Sequence, residues 1–239
     1  MNRGGFGRSA GGRAGGRAAG IEAVSGRAVG GESVLAVNKV LRNTYSLLAL
    51  TLAFSAFTAM LSIDAPVLSI WMFLIGAYGL LFLTHALANS AWGLLSVFAF
   101  TGFMGYTMGP IIGMYLSMAG GGEIVAKALG GTAFIFFGLS GWALTSRRDF
   151  SFLQGFIFAG FLVLVAAMVI NIFWPMPALQ LAMSAGFMLF ASACILWQTS
   201  AIIHGGERNY ILATITLYVS IYNLFMSLLS LLSAFTGRE

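Results

Sequence analysis

Apolar residues in this chain fall into seven long runs, and the charged residues lie between the runs or at their ends. The runs are Thr44–Ile63, Pro66–Ala86, Ala91–Met118, Ile124–Thr145, Phe152–Trp174, Pro177–Ile203 and Tyr210–Phe235. Each reaches about 20 residues or more, the length a helix needs to cross a hydrocarbon core about 30 Å thick. The pattern predicts an all-α polytopic membrane protein with seven transmembrane helices. Turn signals punctuate it: Asp64–Pro66, Gly120–Gly122, the charged Arg147–Asp149, Pro175 with Pro177, and Gly205–Gly206 as a helix stop.

Polar residues inside the runs are few, so their spacing is informative. In the last run, Thr216, Ser220, Asn223, Ser227 and Ser230 recur at intervals of four, three, four and three, which is one face of a helix. A polar face turned to lipid leaves its donors and acceptors unsatisfied, so this stripe is expected to face the bundle. Two readings follow. The stripe is glue between helices, or it lines a wetted cavity. Tyr218 and Tyr222 flank it. Gln198, near the end of the sixth run, fits either reading. These residues are the candidate pore or gate positions: Gln198, Thr216, Ser220 and Asn223.

The third run carries Gly105, Gly109 and Gly113 in two overlapping GxxxG units, with Pro110 among them. Pro110 cannot donate to the carbonyl of Tyr106. Close helix packing is one reading, and a candidate hinge at Gly105, Gly109, Pro110 and Gly113 is the other. FAFTGF at Phe98–Phe103, FIFFGL at Phe134–Leu139 and FIFAGF at Phe156–Phe161 look alike. In a chain rich in Phe and Gly they make a weak internal repeat.

Charge sets the expected orientation. Ten of the 12 Lys and Arg residues fall on the side of the N-terminus. They are the five tail arginines, Lys39, Arg42, Arg147, Arg148 and Arg208, and only Lys127 and Arg238 fall opposite. The positive-inside rule then predicts a cytoplasmic N-terminus and a periplasmic C-terminus. With one span merged or missed, Arg147, Arg148 and Arg208 could not all fall on the side of the tail. Residues 1–35 repeat Gly, Ala and Arg and are expected to form a disordered cytoplasmic tail. Residues 36–239 are expected to be the membrane domain. The tail has one Phe for base stacking and no folded RNA module beside it, so no nucleic-acid partner is expected.

Composition narrows the chemistry. Charged residues make up 8% of the chain and apolar ones 59%, against about 25% and about 45–50% in soluble domains. No Asp, Glu, Lys or Arg lies deep in a run. Asp64, Glu123, Asp149 and Glu207 sit in turns or at run ends. Buried carboxylates are the usual equipment of proton relays and ion-coupled transporters. His85 and His204 are solitary, and Cys194 is the single cysteine. There is no cluster with metal-ligand spacing, no HExxH and no GxSxG, so neither a metal, a cofactor nor an enzymatic activity is expected.

Several segments in the right order carry a family resemblance. LWQTSAIIHGGERNYILATITLYVSIYNLFMSLL at Leu196–Leu229 resembles the carboxy-terminal signature of the Bax inhibitor-1 family, in its bacterial YccA type. NKVLRNTYSLLALTLAF at Asn38–Phe54, FAFTGFMGYTMGPI at Phe98–Ile111 and ALGGTA at Ala128–Ala133 are similar to that type as well. The resemblance implies six helices around a central one. It also implies two functional themes. One is association with the membrane-anchored AAA protease FtsH, as modulator and substrate. The other is a pH-gated calcium leak, in which paired aspartates of the sixth and seventh helices form the gate. Those family positions fall on Gln198 and Ser220, with a further acidic position on Thr216, and none is a carboxylate here. A Gln–Ser pair cannot share a titrating proton. The protease-linked role is therefore the expected one, with a calcium leak through an altered gate as the alternative.

Overall fold

The computed structural model describes residues 14–236, with side chains from Leu35 onward. It is built from seven helices: α1 (Ala14–Leu61), α2 (Ile70–Leu87), α3 (Trp92–Leu116), α4 (Gly121–Ser146), α5 (Leu153–Phe173), α6 (Pro177–Ile203) and α7 (Tyr210–Thr236). All seven are long and apolar enough to cross a membrane. The start of the spanning part of α1 defines what is called here the near side; α1 ends at the far side.

The observed ends differ from the expected ones at three places. The spanning part of α1 is Leu35–Leu61, which begins nine residues before Thr44. Lys39 and Arg42 interrupt the apolar run, but their long stems let helix continue while the charged ends reach water. The helix itself is assigned from Ala14, inside the stretch expected to be a disordered tail; Ala and Arg are good helix formers. Residues 1–13 lie outside the described residues. Between α1 and α2, Pro66–Ser69 is not helical. Ser69 caps α2 instead, its hydroxyl accepting from the Met72 N–H at 3.4 Å. Gly121 and Gly122 belong to the first turn of α4 rather than to a loop, because Gly120 takes the left-handed conformation (φ 71°) that reverses the chain.

α7 is the central helix. It packs on α1, α3, α4 and α6. α2 packs on α3 and α5 on α6, and both are largely exposed on the outside of the bundle. The main core joins Leu47 and Leu48 of α1, Phe100 of α3, Ile195 of α6 and Leu217 and Leu224 of α7 with Phe136 of α4. A second cluster, Ile124, Val125, Ala128, Phe225 and Leu229, closes α4 on α7 toward the far side.

Candidate functional site

The polar stripe of α7 faces inward, and three of its five polar side chains are occupied by their own helix. Thr216 donates to the Leu212 carbonyl (3.1 Å), Ser220 to Thr216 (2.7 Å) and the Asn223 amide to Val219 (2.9 Å). Ser220 and Ser227 are buried; Thr216 and Asn223 are half-buried. One bond crosses to the neighbour: Ser184 of α6 donates to Ser230 at 3.0 Å. This bond sets the antiparallel register. Gln198 lies 14 residues after Ser184 and Thr216 lies 14 residues before Ser230, so Gln198 is level with Thr216, and Ser220 lies a turn farther out.

Gln198 is 2% exposed, and its Nε2 has no hydrogen-bond partner. Thr44 Oγ1 of α1 and Ser140 Oγ of α4 are also buried without partners. All three lie in the near third of the bundle, beside Thr214, whose hydroxyl reaches the Thr44 carbonyl at 3.3 Å, and Tyr45, whose hydroxyl meets that of Thr199 at 3.4 Å. Gln198 and Ser220 are both inside the bundle, but the structure does not bond them to each other.

Halfway through the bundle a second polar group ties three helices. The Tyr218 hydroxyl lies 2.6 Å from Ser55 Oγ of α1 and donates to the Thr101 carbonyl of α3 at 3.2 Å. The ring is 1% exposed and stacks edge-on against Phe100. Sequence periodicity placed Tyr218 beside the stripe; it held no signal for which helices the hydroxyl would reach.

The glycines of α3 form a seam against α1. A Cβ at Gly105 would run into the Ser55 carbonyl, one at Gly109 into Ala59 and Ser62, and one at Gly113 into the Ile63 carbonyl. Backbone therefore meets backbone along about two turns. Helix α3 runs through Pro110 without a break. The Tyr106 carbonyl, which Pro110 leaves without its intrahelical donor, accepts from the Ser62 hydroxyl of α1 at 2.8 Å.

The near-side turns are held by polar groups that a scan for chemistry passes over. Asn209 caps α7: its Oδ1 accepts from Ile211 N (2.9 Å) and its Nδ2 donates to the Ala88 carbonyl (3.0 Å), joining the α6–α7 and α2–α3 turns. An Asn just before an apolar run is a cap signal that the sequence did contain. Ser200 of α6 accepts from Phe150 N at 3.0 Å and so holds the α4–α5 turn. His204 Nδ1 lies 2.9 Å from the Ser200 carbonyl. In the same turn the Ser151 N–H, 2.8 Å from Asp149, holds that carboxyl below its usual range, and the charge of His204 adds to this.

A family model described as inhibitor of apoptosis-promoting Bax1 matches residues 37–237, across all seven spans but not the N-terminal segment. The chain belongs to the Bax inhibitor-1 family. Within this family it is 60% identical over 205 residues to an uncharacterised Pseudomonas aeruginosa protein, covering 85% of this chain and 92% of that one. It is 56% identical over 209 residues to the modulator of FtsH protease YccA of Escherichia coli, covering 87% and 94%. A Vibrio cholerae membrane protein is 43% identical over 212 residues, covering 87% and 95%. It is a YccA-type member, as its motifs implied. The residues at the gate positions do not suit a divalent cation, which takes six or more oxygens, carboxylates foremost. Gln198 has one side-chain oxygen, and the hydroxyls of Thr216 and Ser220 are directed at carbonyls of α7. Among the described residues, no three His, Cys, Asp or Glu side chains gather as a metal site.

Proposed function

We propose that this protein modulates the membrane-anchored protease FtsH in the inner membrane and is itself a substrate of it. The observation that carries this reading is the 56% identity, over 94% of its length, to the Escherichia coli protein named for that role. The charge asymmetry supports a cytoplasmic N-terminus. That orientation presents the Gly- and Arg-rich segment before Leu35 on the side where an ATP-driven protease would grip a chain. The stripe residues Thr216, Ser220 and Asn223, with Gln198, act in this reading as packing groups between α6 and α7. A calcium leak is not favoured, since no carboxylate stands at Gln198, Thr216 or Ser220.

The test is a chase of the full-length protein in cells with and without FtsH, alongside a variant lacking residues 1–30. The expected result is a half-life that lengthens severalfold on FtsH depletion and equally on loss of the tail, with co-purification of FtsH retained. A half-life indifferent to FtsH, with no co-purification, overturns the reading. Reporter fusions at Arg148 and after Gly237 test the orientation; activity of a periplasmic reporter at Arg148 reverses it.

A further inference from the structure

Toward the far side the bundle has an open seam. Helices α1 and α4 each pack on α3 and α7 but scarcely on one another. Between them lies a cleft of about 500 Å³. Ala56 and Met60 form one wall, Ala133 and Phe137 the other, and α7 from Tyr218 to Phe225 is the back. Met60 is 72% exposed and Phe137 68%, so the mouth opens on the outside of the bundle, where the bilayer lies.

The cleft is unsuited to water. A buried water needs two to four polar partners, and three of the four hydroxyls on this lining are already engaged. Ser55 is bonded to Tyr218, and Thr132 donates to the Ala128 carbonyl at 2.7 Å, which leaves Tyr222 as the one other hydroxyl on an otherwise apolar lining. A dry apolar cavity of about 150 Å³ already takes benzene, so a larger one open to the bilayer holds hydrocarbon.

The dimensions select which hydrocarbon. Along α1 the lining runs from Leu52 to Ile63, about 17 Å at 1.5 Å per residue. That is about one leaflet of a core about 30 Å thick. Toward the near side, the Tyr45 ring of α1 and the Phe136 ring of α4, centroids 6.1 Å apart, close the gap. A partner's transmembrane helix would need both leaflets, whereas a lipid tail needs one. We infer that this cleft is a binding site for one acyl chain of a far-leaflet phospholipid. The chain lies between α1 and α4, with its end against Tyr218 and Phe136. Its headgroup stays at the level of the exposed Glu123–Lys127 pair, whose charged atoms are 2.7 Å apart.

The full-length protein in phosphatidylethanolamine and phosphatidylglycerol vesicles tests this. The vesicles carry a trace of phosphatidylethanolamine with a diazirine at mid-chain. After irradiation, peptide mass spectrometry is expected to find label on Ile221 and Phe225, which are buried from bulk lipid by the walls of the cleft, saturating near one per chain. Ala133→Trp, which fills the mouth, lowers that labelling about tenfold and leaves the label on exposed Phe158 of α5 unchanged. Absence of label from Ile221 and Phe225 in the unmodified protein overturns the inference, whether or not the variant folds. So does α7 labelling that Ala133→Trp does not reduce. A cleft occupied by a second copy or another protein gives the first of these results.

Discussion

The α1–α3 seam and the α6–α7 stripe are both written in small and hydroxyl residues at helical spacing, yet they are built in opposite ways. Along α1–α3 the glycines remove side chains until the two backbones touch, and the hydroxyl of Ser62 crosses over to the Tyr106 carbonyl. On the α6–α7 stripe, Thr216, Ser220 and Asn223 turn back on their own helix, and the bond that crosses to α6 is at Ser230. A hydroxyl whose bond is intrahelical survives separation of the helices, so it contributes little to their association. A hydroxyl that crosses strands its acceptor on separation: Ser62 can fall back on the Thr58 and Ala59 carbonyls of its own helix, but the Tyr106 carbonyl loses its donor. Spacing identifies a face, and the partner atom decides what that face is worth.

The largest effect that tests this contrast is expected at the seam. Gly109→Leu places a side chain where the Ala59 carbonyl and Ser62 already stand, and backbone cannot yield as a flexible side chain does. Unfolding in a denaturing detergent titration is expected to show a loss of about 3 kcal/mol or more. A wild-type midpoint in this variant would mean that the seam opens at little cost, as a hinge would. Next is Tyr218→Phe, which removes a hydroxyl shared by Ser55 and Thr101. A cost of about 1–2 kcal/mol is expected, and a double-mutant cycle with Ser55→Ala should show coupling between the two positions.

Two serine deletions sharpen the comparison directly. Ser62→Ala leaves the Tyr106 carbonyl without a donor and is expected to cost about 1 kcal/mol. Ser220→Ala deletes only a bond inside α7 and is expected to change the same titration by less than about 0.5 kcal/mol. Equal costs would erase the distinction. The smallest effect is at Asp149. Its carboxyl is held below the ordinary value of 3.8 by the Ser151 N–H, so the stabilisation is fully present above that value. It is lost as pH falls through the lowered pKa. Asp149 is fully exposed, so Asp149→Ala is expected to lower the thermal midpoint slightly at neutral pH and not at all in strong acid.

The seven spans were legible because membrane crossing is a property of local composition: about 20 apolar residues suffice, whatever they pack against. The inward face of α7 was legible for the same reason, since polar groups avoid lipid. Pro110 announced an unpaired carbonyl at Tyr106, but not that Ser62, 44 residues away, would satisfy it. Nor could spacing show that Gln198 stands level with Thr216 rather than Ser220. That follows from the register of two helices, and one strand of text contains no register. The cleft between α1 and α4 was equally invisible, because it is made by two helices that fail to meet.

The central place of α7 also constrains the order in which the molecule can be completed. Synthesis delivers α1 to α3 first, and their parallel α1–α3 seam needs nothing later. α7 leaves the ribosome last, yet the Ser55 hydroxyl awaits its Tyr218, and the carbonyls of Thr44 and Thr101 each take a second hydrogen bond from its side chains. Until it arrives, the four helices it packs on enclose a vacancy in which the Ser55 hydroxyl lacks its interhelical partner, in a medium that offers no water in its place. A chain stopped short of Tyr210 would therefore display its incompleteness to the membrane's quality control, and the finished chain would conceal it.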